Sequence, residues 1–184
     1  MTEQTSKPRR WPRSIRALRK DNRGLAAIEF ALIGGFLSMA VLNVSDICVY
    51  ALDRLQLDNA TEMGAQAAWA NCDLNHIPAT VKCPNLTSKV TAAIQATSLG
   101  TSVTLQSGYP TEGYYCVGTT GTLQLVSDVS TRPADCSAAG SASTAPGDFV
   151  QIKTSYSYTP IFPGLTILTL LPASMQSTSW MRLG

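Results

Sequence analysis

An α+β fold is expected for this chain: a long N-terminal helix, first membrane-spanning and then extracytoplasmic, packed on a small antiparallel β-sheet domain with a second short helix. Three observations predict it. Residues 25–45 are apolar apart from Glu29, apolar residues then recur at helical steps to about residue 70, and strict alternation appears further on between clusters of glycine and proline. The 184 residues suit one domain with an appendage. They divide into a basic leader (1–24), a transmembrane helix (25–46), a helical extension (47–70) and a disulfide-containing α+β domain (71–184).

The leader holds eight Lys/Arg against two Asp/Glu, a net +6, while the remainder holds six against ten, a net −4. A basic head on an acidic body marks two functional units rather than one mildly basic globule. Such a cluster attracts phosphate without sequence preference. Here, however, it abuts an apolar run, and positive charge in that position holds the flank in the cytoplasm. The N-terminus is therefore expected inside the cell, with membrane lipid as a partner and no nucleic acid.

From Leu25 to Ser45 there are 21 residues, and Glu29 is the only charged one. At 1.5 Å per residue a helix of that length spans about 31 Å, matching a hydrocarbon core of ~30 Å. Arg23 then lies at the inner interface and Asp46 near the outer one. Gly34 and Gly35 fall mid-span, where glycine is either tolerated or lets neighbouring helices approach closely. Two processing signals compete. A secretory signal peptide would be cut at the small-x-small site Ser38-Met39-Ala40, releasing everything after Ala40. Glu29 interrupts the apolar core that such a signal needs, and the helical pattern continues past the cut.

The other signal is "GLAAIEF", residues 24–30. A glycine, four residues, then Glu and an aromatic resemble the class III, type IV prepilin-like signal. The longer "RGLAAIEFAL" is most similar to the TadE-like minor pilins and pseudopilins of the tight-adherence (Tad/Flp, type IVb-like) pilus system. Toward the C-terminus, "GDFVQIKTSYSYTPIFPG" and "STSWMR" resemble that family's closing strand, aromatic-proline turn and final strand. Residues 71–146 show no such likeness.

The resemblance implies cleavage by a prepilin peptidase between Gly24 and Leu25, leaving Glu29 and Phe30 as the fifth and sixth residues of the mature chain. Phe30 stands where the major pilins commonly carry tyrosine, which favours the minor class. The implied partners are the peptidase, other pilin-like subunits and the Tad inner-membrane assembly platform. The implied role is to initiate or support a pilus used in adhesion and biofilm formation. The implied location is the bacterial inner membrane, with the C-terminal domain in the periplasm, and then the pilus. Cleavage creates an amine on Leu25, and a carboxylate in lipid is costly unless paired. Glu29 would pair with the Leu25 amine of an adjacent subunit, a charge-assisted contact that strengthens as water leaves. The alternative is a glutamate that snorkels to the headgroups.

Beyond Asp46, residues Cys48, Leu52, Leu55, Ala60, Met63, Ala67 and Ala70 recur near helical period, opposite Asp53, Arg54, Asp58 and Glu62. One rod of ~69 Å would pack the first set against the following domain. Residues 85–100 read as a short helix stopped by Gly100. Strands are expected over 101–107, 113–117, 121–129, 148–158 and 174–182. In the fourth, Val150, Ile152, Thr154, Tyr156 and Tyr158 share one face, as in a half-buried sheet. "GLTILTLL", 164–171, is too short to span a bilayer and is expected to pack on the sheet.

Cys48 lies on the helix as a small packed residue. Cys72, Cys83, Cys116 and Cys136 form an even exported set, expected to make two disulfides in an oxidising compartment. Three connectivities are open, and the sequential one, Cys72 with Cys83 and Cys116 with Cys136, is favoured. Zinc is the rival reading, but no closely spaced Cys pair exists and His76 is the only histidine. Neither a metal nor a cofactor is expected.

Catalysis finds no pattern either. His76 has no nucleophile signature near it, the glycine runs at 118–121 and 140–147 lack strand–helix context, and Asp46 and Asp53 are expected to be exposed. A non-enzymatic role follows. The competing readings are a secreted disulfide-bonded binding or enzymatic domain released after Ala40, and an uncleaved single-pass protein displaying its domain.

Overall fold

In a computed structural model, which describes residues 23–72, 76–167 and 171–184, the chain is an α+β protein. The leader, apart from Arg23 and Gly24, lies outside the described residues. Helix α1 runs without a break from Arg23 to Asn71, 49 residues or ~73 Å, so the expected span and extension are one rod. Its alanine-rich outer half has high intrinsic helix propensity.

After α1 come a single turn, α2 (Ala79–Lys82), and the amphipathic α3 (Leu86–Gln95), which buries Leu86, Val90 and Ile94. The turn at α2 had no periodic signal in the sequence. Helix α3 stops at Gln95, short of Gly100, because a 3₁₀ turn at Gly100–Ser102 leads directly into the sheet. The strands are β1 (Val103–Leu105), β2 (Thr111–Val117), β3 (Leu123–Asp128), β4 (Gly147–Ser157) and β5 (Ser174–Arg182). They lie where alternation placed them, with ends shifted by up to two residues.

All pairings are antiparallel. β4 is the central strand. β5 follows it along nine residue pairs from Phe149↔Arg182 to Ser157↔Ser174, while β2 and β1 share its other side in succession, and β3 closes the edge beyond β2. Val150, Ile152 and Thr154 point into the core, as the alternation required.

That core lies between one face of the sheet and the helices α1 and α3, and it is built from Leu57, Ala60, Val90, Ile94, Ile152 and Met175, among others. Small residues on α1 permit the approach. A Cβ on Gly64 would stand 2.8 Å from Ile94 Cγ1 and 3.5 Å from Ile152 Cγ2, so glycine here is set by packing. Thr61 and Thr154 hydroxyls, both fully buried, bond to each other at 2.5 Å across the same seam.

The segment "GLTILTLL" departs from expectation. Its described part, 164–167, hydrogen-bonds to α1 at Asn43 rather than packing on the sheet. Backbone amides of an irregular apolar segment need partners, and Asn43 supplies both a donor and an acceptor. Residues 168–170 lie outside the described set.

Candidate functional site

The proposed processing and assembly residues all lie on the first two turns of α1, where none of their side chains is buried among the described residues. A Cβ on Gly24, Gly34 or Gly35 would meet nothing within contact distance among the described residues, so no packing seen among them calls for those glycines. Leu25, Glu29 and Phe30 are exposed, Phe30 at 80%. Leu25 and Glu29, four residues apart, share a helix face. Among the described residues nothing pairs with Glu29. The whole apolar stretch of α1 is long and apolar enough to cross a membrane, and none of it is buried within the protein. A soluble core helix of that composition would be covered; among the described residues nothing covers this one.

Past the apolar run the helix acquires one buried face, and it is not the face expected. Cys48, Leu52, Leu55 and Met63 are exposed, Leu55 at 61%, and Ala70 is exposed with them. Of the expected stripe only Ala60 is fully buried, with Ala67 partly so. The face turned to the domain carries Asp46, Leu57, Ala60, Thr61, Gly64 and Ala65. The sheet and α3 need close approach, which small side chains allow and Leu52, Leu55 or Met63 would block. Cys48 is therefore an exposed free thiol, not a packed residue.

The aspartates correct the reading in the same sense. Asp46 is fully buried, and its Oδ1 accepts the Ile161 amide at 2.9 Å while its carbonyl accepts the Tyr158 hydroxyl at 3.2 Å. Asp53 Oδ2 accepts the Tyr156 hydroxyl at 3.1 Å, and Asp58 Oδ1 the Ser177 hydroxyl at 2.6 Å. Neither Asp46 nor Asp53 is the exposed carboxylate the sequence suggested, and Asp53 and Asp58 face the domain rather than the far side. Burial first, and the neighbouring carboxylates second, push the Tyr156 and Tyr158 hydroxyls above their ordinary range. Together these bonds clamp the helix to the ends of β4 and β5. A signal was present: Asp46 and Asp53 are seven residues apart, two turns along one face.

Elsewhere, Cys72–Cys83 and Cys116–Cys136 are the disulfides, the sequential pairing. They tie the end of α1 to the residue after α2, and β2 to the loop before β4. A carboxylate pair that sequence reading missed sits beside the first. Glu112 accepts the Ala79 amide at 2.7 Å and the Thr80 amide at 2.6 Å. Next to it Asp148 is buried, and no donor reaches either of its carboxylate oxygens. Burial, then the Glu112 charge, raise the Asp148 pKa to about 6, with Arg132 opposing. A proton on Asp148 provides a donor toward Glu112, which resolves the pair.

Two open depressions of roughly 380 and 410 Å³ flank α3, lined mainly by Thr, Ser and backbone, with no carboxylate or histidine in either. Among the described residues no three His, Cys, Asp or Glu side chains gather as metal ligands would. No family model matches the chain, and neither a curated protein nor a solved structure matches it.

Proposed function

We propose that the chain is a minor pilin or pseudopilin of a tight-adherence pilus, inserted through α1, trimmed after Gly24 by a prepilin peptidase, and assembled with other pilin-like subunits through the helix. The observation that carries this reading is the uncovered side of α1. Apolar side chains stay exposed from Leu25 through Val44 in the apolar stretch and onward through Leu52, Leu55 and Met63 outside it. Lipid accounts for the first part only. A water-exposed continuation of that stripe is what helix-to-helix assembly with a second subunit needs.

Glu29 fits the same scheme. It lies within the apolar stretch with no partner among the described residues, and an adjacent subunit's Leu25 amine would neutralise it. Among the described residues no contact calls for Gly24, in keeping with a residue kept for a protease. The basic leader argues for an N-terminus in the cytoplasm and so for a domain in the periplasm, where both disulfides persist.

The test is the N-terminal residue of the membrane-extracted protein, by intact mass, with and without a co-expressed prepilin peptidase. A Leu25 start that requires the peptidase and disappears in Gly24→Ala is the expected result. A Val41 start would instead mean a secreted domain released after Ala40. An intact Met1 in the peptidase's presence would mean a plain single-pass anchor.

A further inference from the structure

The described part of the connection between β4 and β5 is hydrogen-bonded to α1 at the outer end of the apolar stretch. Ile167 donates its amide to Asn43 Oδ1 at 2.8 Å, Asn43 Nδ2 donates to the Leu165 carbonyl at 3.1 Å, and Ile161 donates to Asp46 Oδ1 at 2.9 Å. Asn43 belongs to the apolar run that ends at Ser45. These three bonds therefore fix the loop's height along α1 at the last turn of that run, where Val41 and Val44 of the helix are also exposed.

The loop is built for that depth. Ile161, Leu165 and Ile167 are each more than half exposed. No Asp, Glu, Lys or Arg occurs between Lys153 and Arg182, so nothing charged is drawn in with them. Leaving such side chains in water is unfavourable relative to burying them. Irregular backbone is tolerated near lipid only where its polar groups are satisfied, and the Asn43 and Asp46 side chains satisfy the amides that face the helix.

We infer that the 159–167 loop is a second membrane contact, its apolar tip seated at the headgroup–acyl boundary of the leaflet on the domain's side. Interfacial segments of this kind bury their apolar side chains ~5–10 Å deep, a depth Asn43 and Asp46 already set. The loop then holds the domain at one height and tilt on the bilayer, which a single helix leaves free. The inference rests on residues 25–45 being a membrane span and is independent of pilus assembly.

The test uses the full chain in phosphatidylcholine vesicles, in a Cys48→Ala background with the disulfides intact. An environment-sensitive fluorophore is attached singly at Leu165→Cys, Ile167→Cys, Phe36→Cys (mid-span) or Ser155→Cys (outer face of the sheet). Expected are blue-shifted emission at 165 and 167, strong quenching there by shallow spin-labelled lipid and weak quenching by aqueous iodide, with Ser155 showing the reverse. Equal behaviour of 165, 167 and 155, with Phe36 quenched by deep labels, would overturn the loop contact while leaving the span. An unquenched Phe36 would overturn the span and the loop contact with it. Emission at 165 that is blue-shifted only at high protein-to-lipid ratio, without lipid quenching, would assign the loop to a second copy of the chain and overturn the inference.

Discussion

The two halves of α1 are one continuous helix, yet they owe their order to different surroundings. Among the described residues, 25–45 bury none of their side chains, and they are long and apolar enough to cross a membrane. Residues 46–71 turn Leu57, several small side chains and three aspartates to the domain and leave Leu52, Leu55 and Met63 outside. Apolar character alone therefore does not show which face of a helix its own domain covers. In the outer half, close approach and hydrogen-bonding capacity select the buried face around Leu57, and Leu52, Leu55 and Met63 are left for another surface.

The sharpest way to break this contrast is to truncate one large side chain in each half. Leu57→Ala, at the fully buried seam, should cost 2–5 kcal/mol in denaturant unfolding of the detergent-solubilised chain. Phe36→Ala, exposed at 75%, should change domain stability by less than ~0.5 kcal/mol. Equal losses would mean that the membrane half packs on the domain after all.

Next in size is the disulfide joining Cys116 and Cys136, which closes a loop of sequence separation 20. The double change Cys116→Ser with Cys136→Ser should lower stability by about 3 kcal/mol on the chain-entropy account, followed as a drop in melting temperature. The effect should stay within the domain, with peptidase processing at Gly24 unaffected.

A smaller effect separates pH response by region. Asp148 has its pKa raised in the fold to about 6 from 3.8, so the folded state binds more protons than the unfolded one between those values. Its contribution is full below about pH 4 and is lost as pH rises through about 6. The shift corresponds to at most ~3 kcal/mol, and solvent screening brings the expected swing to roughly 1–2 kcal/mol. Asp148→Asn should flatten the stability profile between pH 4 and pH 7. An unchanged profile would remove Asp148 from the account.

Smallest in stability, and most informative about the exposed stripe, is Leu55→Gln. It should change unfolding by no more than ~0.5 kcal/mol while reducing recovery of the chain with co-expressed pilin-like subunits. A large loss of stability would show that Leu55 is buried by its own domain.

Much of this architecture was legible beforehand, for reasons tied to particular residues. The 21-residue run from Leu25 to Ser45 matches a bilayer by length. The alternation of Val150, Ile152 and Thr154 fixes a face because strand period is two. The even set of four cysteines beyond the apolar run pointed to disulfides, and neighbours in sequence are the ones that meet.

The single turn α2, Asn43 as a clamp, and the Glu112–Asp148 pair were not legible. Each depends on groups far apart in the chain, as with Glu112 and the Ala79 amide, 33 residues away. A helical pattern carries the period of a face but not its identity when apolar residues occur on two sides. Sequence alone determined the apolar run long enough to span a membrane, the rod and the strands, because length, propensity and alternation are local. Only the tertiary structure decided that Asp46, Thr61 and Gly64 face inward while Cys48, Leu52 and Leu55 face out. The hydroxyls and amides that the aspartates accept from, and the Ile94 side chain that fills the space above Gly64, come from elements folded back from later in the chain.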